Sequence, residues 1–298
     1  EVQRTFGKKL YRLSVDGGMS CPNRDGTVGT GGCMFCSAGG SGDFAEDRRL
    51  SISEQLSLAK DRISRKLPKT KPYGFIAYFQ AFTNTYAPVE YLEKIFREAI
   101  SDEEVVVLSI GTRPDCLGEE VLSLLEELNR IKPVWVELGL QTMHEATAEY
   151  IRRGYLLSTY ETAIQALADN HIPYITHVIL GLPGETEDDM LATVRYVCGQ
   201  QAKPFGIKLQ LLHVLRGTDL CGDYEAGSFE VLSQDEYIEL VIKCLEVIPE
   251  DIVIHRVTGD GPKNILVAPL WSGNKRQVLN TLHQKMKIEK REQGTWAK

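Results

Sequence analysis

A chain of 298 residues, 43% hydrophobic and 25% charged, can bury a sizeable core. It has no run of about 18 apolar residues that would cross a membrane as a helix, and its start, EVQRTFGKKL, lacks the apolar stretch of a signal peptide, so a cytoplasmic protein is expected. The net charge of −7 argues against general nucleic-acid binding, which rests on Lys and Arg, but residues 60–71 and 271–298 each carry a local excess of +5. With Arg4, Lys8, Lys9 and Arg12, these runs suit either solvated helix faces or a polyanionic substrate.

In chain order, KKLYRLSVD reads as a strand. A cysteine-containing loop follows, then a helix from Ser51 whose SISE opening has the form of a capping box. GFIAYFQAF (74–82) predicts a buried strand and APVEYLEKIFREAIS a helix with Pro88 in its first turn. Next come strand 105–112, helix LGEEVLSLLEELNRI, strand 134–142, and a helical region containing TYETAIQALADNH. Strand 175–182 leads to helix TEDDMLATVRYVC and strand 206–214. After the looser GTDLCGDYEAGSFE come helix SQDEYIELVIKCLEVI, strand 251–257 and a basic helix from about 273 to 292. Near-continuous apolar strands alternating with helices imply parallel pairing with helices outside. Five or six such units predict an α/β fold, a single-domain partial (β/α)6-type TIM barrel. Its expected extent is residues 1–260, with 261–298 a C-terminal basic helical extension packed on the barrel.

The strand ends gather the polar and glycine residues, which is where such barrels keep their active sites. The first end leads into CPNRDGTVGTGGCMFC, with Cys21, Cys33 and Cys36 spaced by eleven and two residues. Seven cysteines, an odd number, argue against a disulfide scaffold. Structural zinc takes four protein ligands, yet the next cysteine is Cys116 and the next histidine His144. Three thiolates on a four-iron, four-sulfur cluster leave one iron open to an exogenous ligand. Gly26, Gly29, Gly31 and Gly32 would let the backbone bend closely round it and offer N–H groups to its sulfurs. Cys198, Cys221 and Cys244 stand alone and are read as packing residues.

Cys33-Met34-Phe35-Cys36, preceded by a further cysteine after the first strand, resembles the radical S-adenosylmethionine (SAM) superfamily. The eleven-residue gap departs from that superfamily's usual three and is similar to the elongator-catalytic-subunit-like branch, including its small bacterial relatives. The resemblance runs over roughly residues 10–260. It implies a 4Fe-4S cluster on Cys21, Cys33 and Cys36, which are then catalytic as well as metal ligands, and S-adenosyl-L-methionine on the open iron. By the same resemblance, Phe35 and the QAFTNTY stretch, with Gln80, Thr83 and Asn84, lie against the cofactor. Ser109 and Thr112 of SIGTRPD belong near its ribose, Gln141 near ribose or carboxylate, and Arg153 at the carboxylate, for which a guanidinium fork is suited. His177 of HVILGLPGE is expected to face the cofactor cavity.

The branch implies modification of the C5 side chain of tRNA wobble uridine. In a chain that ends without an acetyltransferase domain, the implied reaction is remodelling of a preformed side chain, for example carboxymethylaminomethyl to aminomethyl. tRNA and a flavodoxin- or ferredoxin-type electron donor are the implied partners. Radical chemistry on a small molecule or protein, and a zinc-binding interaction module on a barrel scaffold, are the competing functions. His177 and His213 suit acid–base roles or core positions equally. Cys116 suits hydrogen-atom donation or simple packing, and Arg256 and Asp260 are placed at the substrate mouth by the resemblance of HRVTGDGP.

Overall fold

A computed structural model describes residues 2–40, 42, 45–259 and 261–297; Asp260 lies outside them. The elements are α1 (Val2–Phe6), β1 (Lys9–Val15), α2 (Ile52–Ile63), β2 (Tyr73–Phe79), α3 (Val89–Ser101), β3 (Val105–Thr112), α4 (Glu119–Ile131) and β4 (Val134–Gln141). They continue with α5 (Glu145–Tyr150), α6 (Leu157–Asp169), β5 (Tyr174–Leu180), α7 (Glu187–Cys198), β6 (Gly206–Leu211), β7 (Val214–Leu215), α8 (Asp219–Glu225), α9 (Gln234–Val247), β8 (Val253–Arg256), β9 (Leu266–Ala268) and α10 (Lys275–Glu289).

A seven-stranded sheet runs β1-β2-β3-β4-β5-β6-β8, and β7 pairs separately with β9 in antiparallel fashion. Strand order follows chain order without reversal, as in a (β/α) barrel and unlike a doubly wound sheet. By contact density the chain forms two compact units: residues 1–30, 39–139 and 158–175 in the first, and 31–38, 140–157 and 176–298 in the second.

In the first unit, β1, β2 and β3 pair in parallel, with Ser14 in register with Tyr78 and Tyr78 with Ser109. One sheet face carries Leu13, Val15, Phe75 and Phe79, each at most 1% exposed. Phe79 meets Phe96 of α3 edge-on at 5.1 Å. Helix α3 buries Leu92, Ile95, Phe96, Ala99 and Ile100, the i, i+3, i+4 spacing that keeps one stripe against a sheet; burying the Phe96 ring contributes about 2–3 kcal/mol. The capping box expected at Ser51 forms, with Glu54 returning to the Ser51 N–H. Gln55, fully buried, ties α2 to the end of β1: it accepts from the Asp16 N–H and donates to the carbonyls of Asp16 and Leu50. Pro88 sits at the N-cap of α3, one residue ahead of its expected place in the first turn.

In the second unit, α9 buries Tyr237, Ile238, Leu240, Val241, Ile242, Cys244 and Leu245. Helix α10 is held to it electrostatically: Arg291 forks onto Glu246 at 2.8 and 2.7 Å and also binds Glu239, which accepts Lys285 at 2.6 Å. Two charges of the basic tail are thereby used in internal pairs, while Arg276, Lys287 and Lys290 stay exposed. The expected strand 206–214 splits in two, because Leu212 and His213 leave β6 before Val214 begins β7. The region read as loose carries α8, capped by Thr218.

Candidate functional site

The cysteine loop divides between the units. In the first, Cys21 opens a closed turn: its carbonyl accepts the Arg24 N–H at 2.8 Å, and the Pro22 carbonyl accepts from Val28 and Gly29 at 2.9 and 3.1 Å. Gly26, at φ +93°, makes the reversal. Asp25 accepts the Thr27 N–H at 3.0 Å, and that hydrogen bond holds its carboxyl below the usual range. The first-unit part of the loop, residues 21–30, is therefore a folded knob, seated on the segment after β2. Thr27 shares a 2.8 Å hydrogen bond with the Tyr86 hydroxyl, Arg24 stacks on Phe82, and the Thr83 N–H donates to the Ser20 carbonyl.

The ends of β2 and β3 meet beside that knob. Asn84 is fully buried, with backbone and side-chain N–H groups both on the Gly111 carbonyl. Its Oδ1 has no partner, and neither has the buried Nε2 of Gln80. The Thr85 hydroxyl donates to the Cys116 carbonyl at 2.6 Å, so the Thr112 hydroxyl must donate to Thr85 and can only accept from a ligand. Ser109 is constrained likewise, giving its proton to Glu137 at 2.7 Å. A cavity of about 590 Å³ opens here between Pro22, Thr27, Thr85, Tyr86, Asp115 and Cys116. Burial pushes the Cys116 thiol up to about 12, so it is an S–H group at neutral pH.

In the second unit, Cys33 and Cys36 bracket a tight turn, with the Cys36 N–H on the Cys33 carbonyl at 3.0 Å. Met34 between them is pinned on both sides, donating to the Ile151 carbonyl and accepting from the Leu220 N–H at 3.1 Å each. Its side chain enters a buried cluster with Ile151, Ile179, Leu212 and Leu220, against which Phe35 packs. Gly32 adopts φ +77°, and a Cβ on Gly31 would stand 2.9 Å from Arg152. Gly29, expected to serve close bending, has only ordinary contacts. All three loop cysteines are half-buried and none is in a disulfide, whereas Cys221 and Cys244 are buried as packing residues.

Gln141 is one of the positive-φ residues of this unit. It sits at φ +72° in a three-residue turn closed by the Thr142 N–H on the Leu140 carbonyl at 2.9 Å, and its buried Oε1 is unpartnered. Arg153 is 2% exposed and grips that turn, donating to the Thr142 carbonyl at 2.7 Å, the Leu140 carbonyl at 3.4 Å, the Tyr155 carbonyl at 3.0 Å and Glu145 at 3.1 Å. Its fork, expected at a cofactor carboxylate, is directed at protein acceptors on either side of Gln141. Thr142 in turn donates to Glu185, whose carboxyl burial pushes up and whose Oε2 has no partner. Sequence reasoning missed Glu185, Glu145 and Glu137; for Glu185 the signal available was its place at the end of LPGE.

His177 contacts Gln210 through Nδ1 at 3.1 Å. His213 contacts the Ser272 hydroxyl at 3.1 Å, its ring lodged where a Cβ on Gly259 or Gly261 would intrude, at 2.7 and 3.0 Å. The glycines of HRVTGDGP thus make room for this histidine. Arg256 is half-buried on β8, in register with Lys208. Among the described residues no three His, Cys, Asp or Glu side chains converge as ligands of a single metal ion, and no helix is long and apolar enough to cross a membrane.

A chain-order parallel α/β sheet with its helices between successive strands defines a partial-barrel α/β protein. The profile of the Radical SAM superfamily matches residues 25–197, and that of the Radical SAM C-terminal domain residues 204–288. The chain is 45% identical over 293 residues to the protein YtqA of Bacillus subtilis, covering 98% of this chain and 89% of that one. It is 26% identical over 190 residues to the tRNA uridine(34) acetyltransferase of Methanocaldococcus jannaschii, covering 63% of this chain but 35% of that one. The solved structure of archaeal Methanocaldococcus infernus Elp3 superposes with a TM-score of 0.72 at 17% identity, over 96% of this chain and 64% of that one. This chain belongs to the radical SAM superfamily and has the partial TIM-barrel fold of that family.

Proposed function

We propose that this radical SAM enzyme remodels the C5 side chain of a tRNA wobble uridine, converting carboxymethylaminomethyl to aminomethyl; the acid fragment would leave as glyoxylate, its methylene giving up two electrons to the cleavage of S-adenosyl-L-methionine and taking its aldehyde oxygen from water. The observation that carries the cofactor assignment is the set of buried polar atoms left unpartnered at Gln80, Asn84 and Gln141. Burying such atoms without partners is costly, and a ligand bearing ammonium, carboxylate and hydroxyl groups supplies what they lack. The residues therefore fit the family's cofactors. Cys21, Cys33 and Cys36 would hold the 4Fe-4S cluster as thiolates, and S-adenosyl-L-methionine would take the remaining iron. Held by these residues, the pair would supply the chemistry of hydrogen-atom abstraction from a substrate.

The chain's own residues have separable tasks in this account. Asn84 and Gln141 accept cofactor donors through their free oxygens. Thr112 and Ser109, whose protons are committed to Thr85 and Glu137, accept from ribose hydroxyls. Arg153 positions Gln141 rather than binding directly. Phe35 and His177 line the cofactor side of the second unit, and Thr83, 1% exposed, fixes the loop after β2. Cys116 stays protonated and available as a hydrogen donor.

For the tRNA substrate the support is the similarity to a protein named as a tRNA uridine(34) acetyltransferase, together with exposed cations on two surfaces. Arg65, Lys66, Lys69 and Lys71 lie in the first unit, and Arg276, Lys287 and Lys290 in the second. Electrons are expected from a flavodoxin- or ferredoxin-type donor. The test is nucleoside profiling of tRNA incubated anaerobically with the reconstituted protein: loss of 5-carboxymethylaminomethyluridine with gain of the aminomethyl nucleoside supports the proposal. Unchanged nucleosides alongside rapid cofactor cleavage with another substrate would refute it.

A further inference from the structure

The sheet face of the first unit opposite its helices carries a guanidinium with no ion-pair partner among the described residues. Register places Arg12 beside Ile76, Ser14 beside Tyr78, Tyr78 beside Ser109, and Gly111 beside Glu137. Leu13, Val15, Phe75 and Phe79 occupy the other face. Arg12 is half-buried, and its guanidinium lies flat on the Tyr78 ring, 4.5 Å from the centroid. Tyr78 is itself 6% exposed. The Arg12 Nε is buried without a hydrogen-bond partner, and among the described residues no carboxylate pairs with this side chain.

A guanidinium half out of water normally finds a carboxylate or carbonyl acceptor. Stacking on an aromatic ring orients the fork and offsets part of its desolvation, but it satisfies none of the N–H groups. The ring lies two residues further along the sheet than Arg12, so the side chain reaches toward the carboxyl ends of the strands, where the candidate site lies. A Cβ on Gly111 would come within 3.7 Å of the Tyr78 hydroxyl, so the ring extends across β2 toward β3. An unanswered, ring-oriented guanidinium on one sheet face calls for an acceptor-rich, planar group, and its fork matches a carboxylate bidentately.

We propose that Arg12, stacked on Tyr78, is the receptor for a substrate carboxylate. Resting on the proposed function, this carboxylate is the acid end of the carboxymethylaminomethyl side chain. Arg12 then distinguishes substrate from product, because the aminomethyl group has lost the acid and presents an ammonium to a cation. It thereby also promotes product release.

Two measurements test this on the full chain. In the first, arginines are labelled with phenylglyoxal and mapped by peptide mass. Arg12 is expected to react in the free protein and to be protected by 5-carboxymethylaminomethyluridine but not by 5-aminomethyluridine; equal protection by both, protection by inorganic phosphate alone, or no protection overturns the inference. In the second, anticodon stem-loops carrying either side chain are titrated by fluorescence anisotropy. Wild type should prefer the carboxylated loop about tenfold, as expected of one bidentate charged pair. Arg12→Gln should bind both equally, and Arg12→Lys should keep part of the preference. A preference unchanged in Arg12→Gln overturns the inference while leaving the tRNA function standing. Failure of wild type to alter any uridine refutes that function, and the labelling result then decides Arg12 on its own.

Discussion

Replacing Arg153 with methionine separates two roles that the sequence alone would merge. The guanidinium donates to the carbonyls of Thr142, Tyr155 and, at longer range, Leu140, and pairs with Glu145. It also lies 4.8 Å from the centroid of Tyr155. Methionine fills comparable volume but answers none of those carbonyls. Charged hydrogen bonds contribute about 1.5–3 kcal/mol each; allowing for non-additivity within one network and for the half-exposed Glu145, the loss should be about 3–5 kcal/mol. That is a large part of the roughly 5–15 kcal/mol by which domains are stable. Urea denaturation of the cofactor-free protein, followed by circular dichroism, reads it directly. The companion variant Gln141→Gly accepts φ +72° without strain, so it should hold or raise stability by up to about 1 kcal/mol while weakening S-adenosylmethionine binding. If Arg153→Met left the cofactor-free stability within about 0.5 kcal/mol of wild type and lost only cofactor affinity, the clamp would be wrong and the arginine would be a direct ligand.

Three further outcomes follow from the same geometry. Glu185 has its carboxyl pushed up by burial, so the folded state favours its protonated form; the stability this gives is present below the ordinary glutamate range and is lost as pH rises through the raised value. Glu185→Gln cannot ionise and still accepts from Thr142, so it should melt at or above the wild-type temperature at pH 7–8 and match it near pH 4; a variant less stable at pH 8 contradicts this. Arg291→Ala leaves Glu246, 7% exposed, without its fork, and should cost about 2–3 kcal/mol in thermal or urea unfolding, where an unchanged midpoint would show that α10 is held otherwise. The Cys116 thiol, pushed up to about 12, should be alkylated by iodoacetamide at pH 8 roughly a thousandfold more slowly than a free cysteine, as read by peptide mass; labelling at the ordinary rate would contradict its burial.

Strands and helices were legible where local signals and tertiary packing agree. The α3 stripe and the Ser51 capping box need only near neighbours, and β3 falls on the predicted 105–112. The losses came where long-range packing decides. Nothing in GTDLCGDYEAGSFE announces that Leu220 will enter the Met34 cluster and draw α8 into order. The strand pattern through LLHV conceals a break, because His213 leaves the ladder to meet Ser272, a residue 59 positions away. Spacing singled out Cys21, Cys33 and Cys36, and resemblance Gln80, Asn84 and Gln141, but that the last three carry unpartnered buried polar atoms follows only from the fold. Arg153 shows the limit: residue type suggested a cofactor carboxylate, and only the fold reveals that the turn at Gln141 brings carbonyls round to it and that Glu145 supplies a carboxylate of the chain's own. Arg12 was visible only as one charge among several, since the meaning of a charge depends on whether the fold supplies a partner.

The central claim is that Cys21, Cys33 and Cys36 together hold an iron–sulfur cluster. Anaerobic reconstitution followed by iron and sulfide analysis tests it most directly, with wild type compared against Cys21→Ala, Cys33→Ala and Cys36→Ala. The account predicts brown wild-type protein with about four iron and four sulfide per chain, and loss of colour and of S-adenosylmethionine cleavage in each variant. Colourless protein binding about one zinc and no sulfide, or a single variant that keeps both colour and cleavage, would contradict it.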